Sequence, residues 1–402
     1  MTTTTVATPA AERPLVPILV ALSVAHLLND LIQSMIPAMY PLFKEAYQLD
    51  FVQVGLITLA FQLTSSLLQP LLGYITDHKP WPYAMVAGMG STLTGVLGLA
   101  YAGSYTTILI SAALVGLGSA VFHPEATRMA RHAAAGQQGF AQGLFQIGGH
   151  AGYAFGPLLA ALVVMPRGQT TLAWVSIVAL VAMVLMAWTG ARYAVMRRAQ
   201  VAAAKAQPAV AVGPMLSTGR VIFAMGILIM LLVSKHGYTA AFTSYYTFFL
   251  IERFGISVQA SQLMLFLYLV VGAFGVIIGG MIGDRVGRYR VIWISILGSL
   301  PFALMLPFAD LFWTGVLSVL ISFIMSSAFA SILIYAIDLV PHRVGLIGGL
   351  FYGLAFGLGG VAAATIGFLA DKIGIIEVFK LCAWLPALGL LTFLLPKTPH
   401  TR

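Results

Sequence analysis

Charge is what this sequence lacks most. Of its 402 residues only 8% are Asp, Glu, Lys or Arg, against 60% hydrophobic, and the mean hydropathy is +0.95. A soluble domain carries about 25% charged residues, and a soluble chain of this length needs a much larger polar surface. A soluble enzyme, a nucleic-acid binder and a disordered chain are therefore excluded as first readings. Cysteine is almost missing too. Cys382 stands alone in an apolar run, so no intramolecular disulfide and no thiolate metal cluster can form. There is no HExxH pair, no Cys/His cluster and no Gly-rich phosphate loop. The chemistry those motifs support, ATP-driven pumping and metal-assisted catalysis, has no signature here, and no cofactor or metal is expected. What is present in quantity is long apolar runs, the mark of a polytopic membrane protein.

A spanning helix needs about 20 mainly apolar residues. Reading for such runs, with Gly, Pro and charge as punctuation, gives twelve, at roughly 16–43, 51–75, 82–102, 105–131, 138–165, 170–194, 220–250, 258–282, 290–308, 311–338, 344–370 and 375–395. All are expected as helices, because a lone strand leaves its backbone unsatisfied in lipid. The polar residues 1–15 are expected to form an N-terminal tail, without a cleavable leader, and 397–402 a C-terminal tail. One connection is long, the basic, Ala-rich stretch 195–219 with Pro208 and Pro214. It separates two groups of six spans, 16–194 and 220–396. Fifteen of the 21 Lys and Arg fall on one side of these spans and five on the other, with Lys235 inside a span. Positive charge is retained on the cytoplasmic side, so both termini and the long connection are expected there. The net charge of +9 then reflects membrane topology and not an acidic partner such as nucleic acid.

The two halves repeat at an offset near 206. Gly73-Tyr-Ile-Thr-Asp77 follows the second span and Gly280-Met-Ile-Gly-Asp284 the eighth; Gly143-Leu-Phe145 in the fifth span matches Gly349-Leu-Phe351 in the eleventh. Duplicated six-helix halves joined by a cytoplasmic loop are the plan of the major facilitator fold. The string Gly280-x-x-x-Asp284-Arg285-x-Gly287-Arg288-Tyr-Arg290 resembles the cytoplasmic signature of the major facilitator superfamily. Glycines there allow a tight turn, and the acid can pair with arginines to latch that side. Asp77 keeps its place in the first half, where His78-Lys79-Pro80-Trp81 replaces the basic part. Asp338 and Arg343, at the tenth span's end, are read as further latch residues. Gly143-x8-Gly152-x3-Gly156-Pro157 resembles the antiporter motif of the superfamily's drug exporters, with Ala160 and Ala161 where two further glycines are usual.

A narrower resemblance rests on His26-Leu-Leu-Asn29-Asp30-Leu-Ile-Gln33-Ser34, Phe61-Gln62-Leu-Thr-Ser-Ser-Leu-Leu-Gln69-Pro70, Phe122-His123-Pro124-Glu125-Ala-Thr-Arg128 and Ser244-Tyr245-Tyr246-Thr247-Phe248. These look like the fosmidomycin-resistance branch of the superfamily, over nearly the whole chain. The resemblance implies a monomeric carrier in the bacterial inner membrane that exports phosphonates or related small molecules in exchange for protons. A proton-coupled uptake carrier for a sugar or organic anion is the alternative on the same fold.

An ionisable group at bilayer depth costs about 2.5–3.5 kcal/mol on insertion scales and marks function by default. Asp30 and Lys235 lie near the middles of the first and seventh spans, at nearly equivalent positions of the repeat. Asp30 is expected to take up the proton, and Lys235, a compact point charge, to bind an anion. Glu125 and Arg128, spaced i, i+3 on the fourth span, are read with His123 as a proton relay. Asn29, Gln33, Gln62, Gln69, Gln142, Gln146, Tyr238, Tyr245 and Tyr246 are expected to line a polar cavity. His26, His150 and His236 are expected to be packing or hydrogen-bonding residues.

Overall fold

The computed structural model describes residues 15–78, 81–134, 138–203, 217–340 and 344–396. These residues are helical nearly throughout. The long elements are α1 (Val16–Ala38), α2 (Phe51–His78), α3 (Ala84–Ala100), α4 (Tyr105–Ala133), α5 (Gln138–Leu159), α6 (Val175–Ala203), α7 (Thr218–Phe254), α8 (Val258–Val286), α9 (Arg288–Leu297), α10 (Leu311–Ser326), α11 (Val344–Ile373) and α12 (Ile375–Cys382). Short helical pieces extend α9, α10 and α12 to Phe308, Leu339 and Leu394. Among the described residues, eleven helical stretches are long and apolar enough to cross a membrane. The expected third span is the exception, since Ala84–Ala100 has only 17 residues. At 1.5 Å per residue it covers about 26 Å, slightly less than the hydrocarbon core of about 30 Å.

Local chemistry sets several boundaries. Ser257 caps α8 by accepting from the Ala260 amide, and Asp310 caps α10 through Trp313. α7 runs beyond its expected end at 250 and stops at Gly255, whose φ of 64° places it in the left-handed region that glycine enters at least cost. Pro157 lies near the end of α5. Three residues later the helix widens into a π-turn over Ala160–Val164, the kind of local rewinding expected where a proline removes a ladder donor.

The internal repeat is visible in the backbone. Gly168 and Gly374, separated by the repeat offset, have φ of 87° and 84°. Gln146 on α5 donates to the Tyr352 hydroxyl on α11 at 3.4 Å across a sequence separation of 206. Equivalent positions of the two repeats thus face each other across the middle of the molecule.

Helices of one half knit together through glycine. α1 lies along α5, and a methyl group added at Gly148, Gly152 or Gly156 would come within 1.9, 2.0 and 1.9 Å of Ser23, Leu27 and Ser34 respectively. Between the halves, α2 packs on α11 and α5 on α8. One end of this interface is closed by polar contacts. Both carboxylate oxygens of Asp371 accept from the first amides of α2, Phe51 N at 2.9 Å and Val52 N at 2.8 Å, where the helix dipole favours an anion. The Tyr245 hydroxyl donates to the carbonyls of Ala363 (2.8 Å) and Phe51 (3.2 Å). Gln262 Nε2 donates to the Ala38 carbonyl at 2.8 Å.

The motif Gly143-x8-Gly152-x3-Gly156 therefore contains two kinds of glycine. Gly152 and Gly156 touch α1, whereas a side chain at Gly143 would meet nothing within 4 Å. Gly152→Ala is expected to destabilise the protein by about 3 kcal/mol, the upper end for overpacking. Gly143→Ala should be neutral or stabilising by up to about 1 kcal/mol from helix propensity. Thermal unfolding of the two variants in detergent checks this contrast.

Candidate functional site

Three side chains from two helices converge inside the first half. His26 and Asp30 are one turn apart on α1, and His123 reaches them from α4. His26 Nε2 lies 3.2 Å from Asp30 Oδ2, and His123 Nε2 lies 3.8 Å from Asp30 Oδ1. Asn29 and Gln33, on either side of Asp30 in α1, donate to its Oδ1 at 2.8 and 3.2 Å. The far nitrogens of both rings are tied to backbone. His26 Nδ1 contacts the Phe145 carbonyl at 2.9 Å, and His123 Nδ1 the Ser119 carbonyl at 3.1 Å. A carbonyl only accepts, so the His26 Nδ1 carries a hydrogen and its Nε2 faces Asp30, while the His123 Nδ1 also lies 3.1 Å from the Ser119 hydroxyl, which can donate to it or accept from it.

The surroundings are apolar and tightly fitted. His26 stacks on Phe145 with ring centroids 4.1 Å apart, and His123 lies 6.0 Å from Phe356 of α11. A methyl group at Gly149 would fall 2.3–2.8 Å from the atoms of the His26 ring, so glycine leaves the space that this imidazole fills. The side chains of His26, Asp30 and His123 are 4%, 16% and 17% exposed. Asp30 and His123 are thus held in the interior yet not sealed from it.

Lys235 sits in the other half, on α7. It is 9% exposed, and its ammonium stands 5.5 Å from the centroid of Phe329, within cation–π range. Phe329 packs in turn on Tyr352. Among the described residues no carboxylate is within ion-pair distance of Lys235, and Asp30 is engaged by imidazoles instead. His150, on α5, interacts electrostatically with both Asp30 and Lys235, and Tyr153 with Asp30. Gln146, His150 and Tyr153 share one face of α5 and form a polar stripe between the acid and the base.

The relay expected on α4 is divided. His123 turns to Asp30, whereas Glu125 is buried and takes the Arg128 guanidinium at 3.0 Å. The i, i+2 spacing points the two residues in different directions. Tyr238 and Tyr246 pack in an aromatic cluster with Phe242, Tyr268, Phe249 and Phe379, and Tyr245 belongs to the seal at Asp371. The amide oxygen of Gln62 faces Gly359 of α11, and Gln69 is buried. Of the latch residues, Gly287 adopts a φ of 91° and Arg288 pairs with Asp338. Arg343 lies outside the described residues, as do the side chains of Asp77, Gln142, Asp284 and Arg285 and the surroundings of Gly280. Sequence reasoning named His26 as a packing or hydrogen-bonding residue, which it is, without its approach to Asp30, which the i, i+4 spacing allows; it missed Gly149, Tyr153 and Asp371, which carry no local signal. It also expected no metal ligands, whereas the fold brings His26, Asp30 and His123 together with ligand atoms all within 4.8 Å of one another.

An all-helical membrane protein with a duplicated backbone and buried charge in each half is a secondary transporter by architecture. The chain belongs to the major facilitator superfamily, whose model matches residues 22–364 and 236–402. It is 50% identical over 383 residues to the fosmidomycin resistance protein of Escherichia coli (strain K12), covering 95% of this chain and 93% of that one. It is 38% identical to the uncharacterised MFS-type transporter YfnC of Bacillus subtilis (strain 168), covering 96% and 94%. Among solved structures, a D-xylose–proton symporter has the same fold, with a TM-score of 0.75 at 14% identity over 96% of this chain and 98% of that one.

The Glu125–Arg128 pair gives a test of its own. Arg128→Ala leaves a buried carboxylate without this cation. Because Arg128 is 19% exposed, the expected loss is about 2 kcal/mol, below the roughly 3–5 kcal/mol of a fully buried pair. Adding Glu125→Gln should recover most of it, as read by thermal unfolding of the single and double variants.

Proposed function

We propose that this protein is a proton-coupled exporter of phosphonates of the fosmidomycin type or related small anions. In this reading it works by alternating access as a monomer in a bacterial cytoplasmic membrane. Two six-helix bundles, 16–194 and 220–396, rock about the buried polar groups, with both termini and the connection 195–219 in the cytoplasm. The end closed by Asp371, Tyr245 and Gln262 is then the outer one, and the conformation described is shut toward the outside.

The observation that carries the reading is the placement of Asp30 between His26 and His123 in one half, with Lys235 held apart in the other. Between His26 Nε2 and Asp30 Oδ2 at 3.2 Å a proton is needed, since two lone pairs facing each other would repel. The acid–imidazole group therefore holds a proton in a partly accessible position. Lys235, with no carboxylate of its own among the described residues, offers charge to an anionic cargo. Anion binding and proton release each make one low-dielectric region more negative, so they oppose each other, and exchange requires the proton to leave before the anion binds. The name of the 50% identical relative supports the choice of cargo. Arg288 and Asp338 act as a latch that opens and closes with the cycle, and the glycine seam of α5 keeps α1 and α5 moving as one block.

Everted membrane vesicles with an acid interior test the proposal. Labelled fosmidomycin should accumulate inside them, and Asp30→Asn should abolish accumulation driven by the proton gradient. Lys235→Ala should raise the half-saturating concentration about tenfold or more, the equivalent of about 1.4 kcal/mol of lost charge pairing. Proton-driven accumulation retained by Asp30→Asn would overturn the coupling role, and efflux from acid-loaded vesicles would point to uptake instead.

A further inference from the structure

The His26–Asp30–His123 cluster has the properties of a metal site, and these do not depend on the transport reading. Its donor set is two imidazoles and one carboxylate. Zinc sites with three protein ligands use such sets, leaving a fourth position for water or another ligand. In a tetrahedral site with bonds of about 2.0–2.1 Å, neighbouring ligand atoms are about 3.3 Å apart. Here the two ligand pairs stand at 3.2 and 3.8 Å, and all three atoms lie within 4.8 Å of one another. Small rotations of the side chains would suffice to close on an ion.

The outer contacts agree. Metal-bound histidines nearly always donate their second ring N–H to a carbonyl or carboxylate, which fixes the tautomer and aims the lone pair. His26 Nδ1 meets the Phe145 carbonyl in this way, and His123 Nδ1 is held by the carbonyl and hydroxyl oxygens of Ser119. Asp30 is oriented by Asn29 and Gln33. Asn29 is fully buried, and its Oδ1 has no hydrogen-bond partner among the described residues, so an unsatisfied oxygen stands beside the cluster. An entry path is also required, and the partial exposure of Asp30 and His123 provides one.

We infer that His26 Nε2, His123 Nε2 and the Asp30 carboxylate bind a divalent transition-metal cation of the Zn2+ class. Imidazole ligands select Zn2+, Co2+ and Ni2+ over Mg2+ and Ca2+, which prefer all-oxygen shells.

The experiment uses full-length, untagged protein in detergent, stripped with a chelator and titrated with Co2+ as an optical probe. One equivalent of Co2+ should produce the visible absorption of a four-coordinate ion. Zn2+ should bleach it, and Mg2+ should not. His26→Ala and His123→Ala should each lose the band. His132→Gln, whose ring lies against Tyr193 away from the cluster, should keep it. If the wild type shows no band, or if His26→Ala and His123→Ala retain it, the inference is overturned. Should those variants fail to fold, X-ray absorption at the zinc edge of the wild type decides instead. Two imidazoles in a nitrogen and oxygen shell would support the site, and a shell without imidazole or with sulfur from Cys382 would refute it. Because the readout is spectroscopic, it stands whether or not Asp30 couples transport to protons.

Discussion

One carboxylate organises the interior of the first half. Asp30 is a charge in a region where charge is costly, and the surrounding helices are arranged to make it tolerable. α1 supplies His26, Asn29 and Gln33, and α4 brings His123. The backbone of α5 and of α4 anchors the two rings through the Phe145 and Ser119 carbonyls. Even Gly149 serves this end, since the space its missing side chain leaves is filled by the His26 ring. Two imidazoles held at their Nδ1 atoms and aimed at one carboxylate form a compact group of three potential cation ligands.

The two halves treat buried charge differently. In the first, the acid is surrounded by partners that share it. In the second, Lys235 rests over the face of Phe329 without a carboxylate in reach among the described residues. The α5 stripe of Gln146, His150 and Tyr153 runs between them, and Gln146 meets Tyr352 at its repeat-equivalent position. A duplicated scaffold thus carries unlike chemistry on its two sides.

Much of the architecture could be read before any coordinates. Apolar runs located most helices to within a few residues, because burial in lipid leaves little freedom in where a span begins, but α6 continues to Ala203, well into the stretch read as the connection 195–219. The repeat offset, found from Gly143-Leu-Phe145 and Gly349-Leu-Phe351, reappeared in the backbone angles of Gly168 and Gly374. Asp30 and Lys235 stood out because ionisable residues within apolar runs are rare. What stayed hidden depends on contacts between helices. Spacing alone separates His123 from Glu125 and pairs Glu125 with Arg128, but nothing in a linear reading says that His123 turns to α1, or that Tyr245 crosses to Phe51 and Ala363. The tyrosines of α7 looked like cavity residues because they are polar, yet two of them pack by their rings in an aromatic cluster. The third span proved shorter than its hydropathy suggested, since hydropathy does not register where a helix is capped by a turn.

The two kinds of helix contact differ in how they can fail. α1 and α5 are joined backbone to backbone across glycines, so neither can slide without collision. Asp371, by contrast, holds the start of α2 with nothing but two amide hydrogens, which water can replace one for one. A contact of that kind comes apart without leaving strain behind and re-forms without searching for a register. The molecule therefore has an interlocked block at α1 and α5 and, at the start of α2, a polar clasp that water can replace at Asp371, beside the contacts of Tyr245 and Gln262.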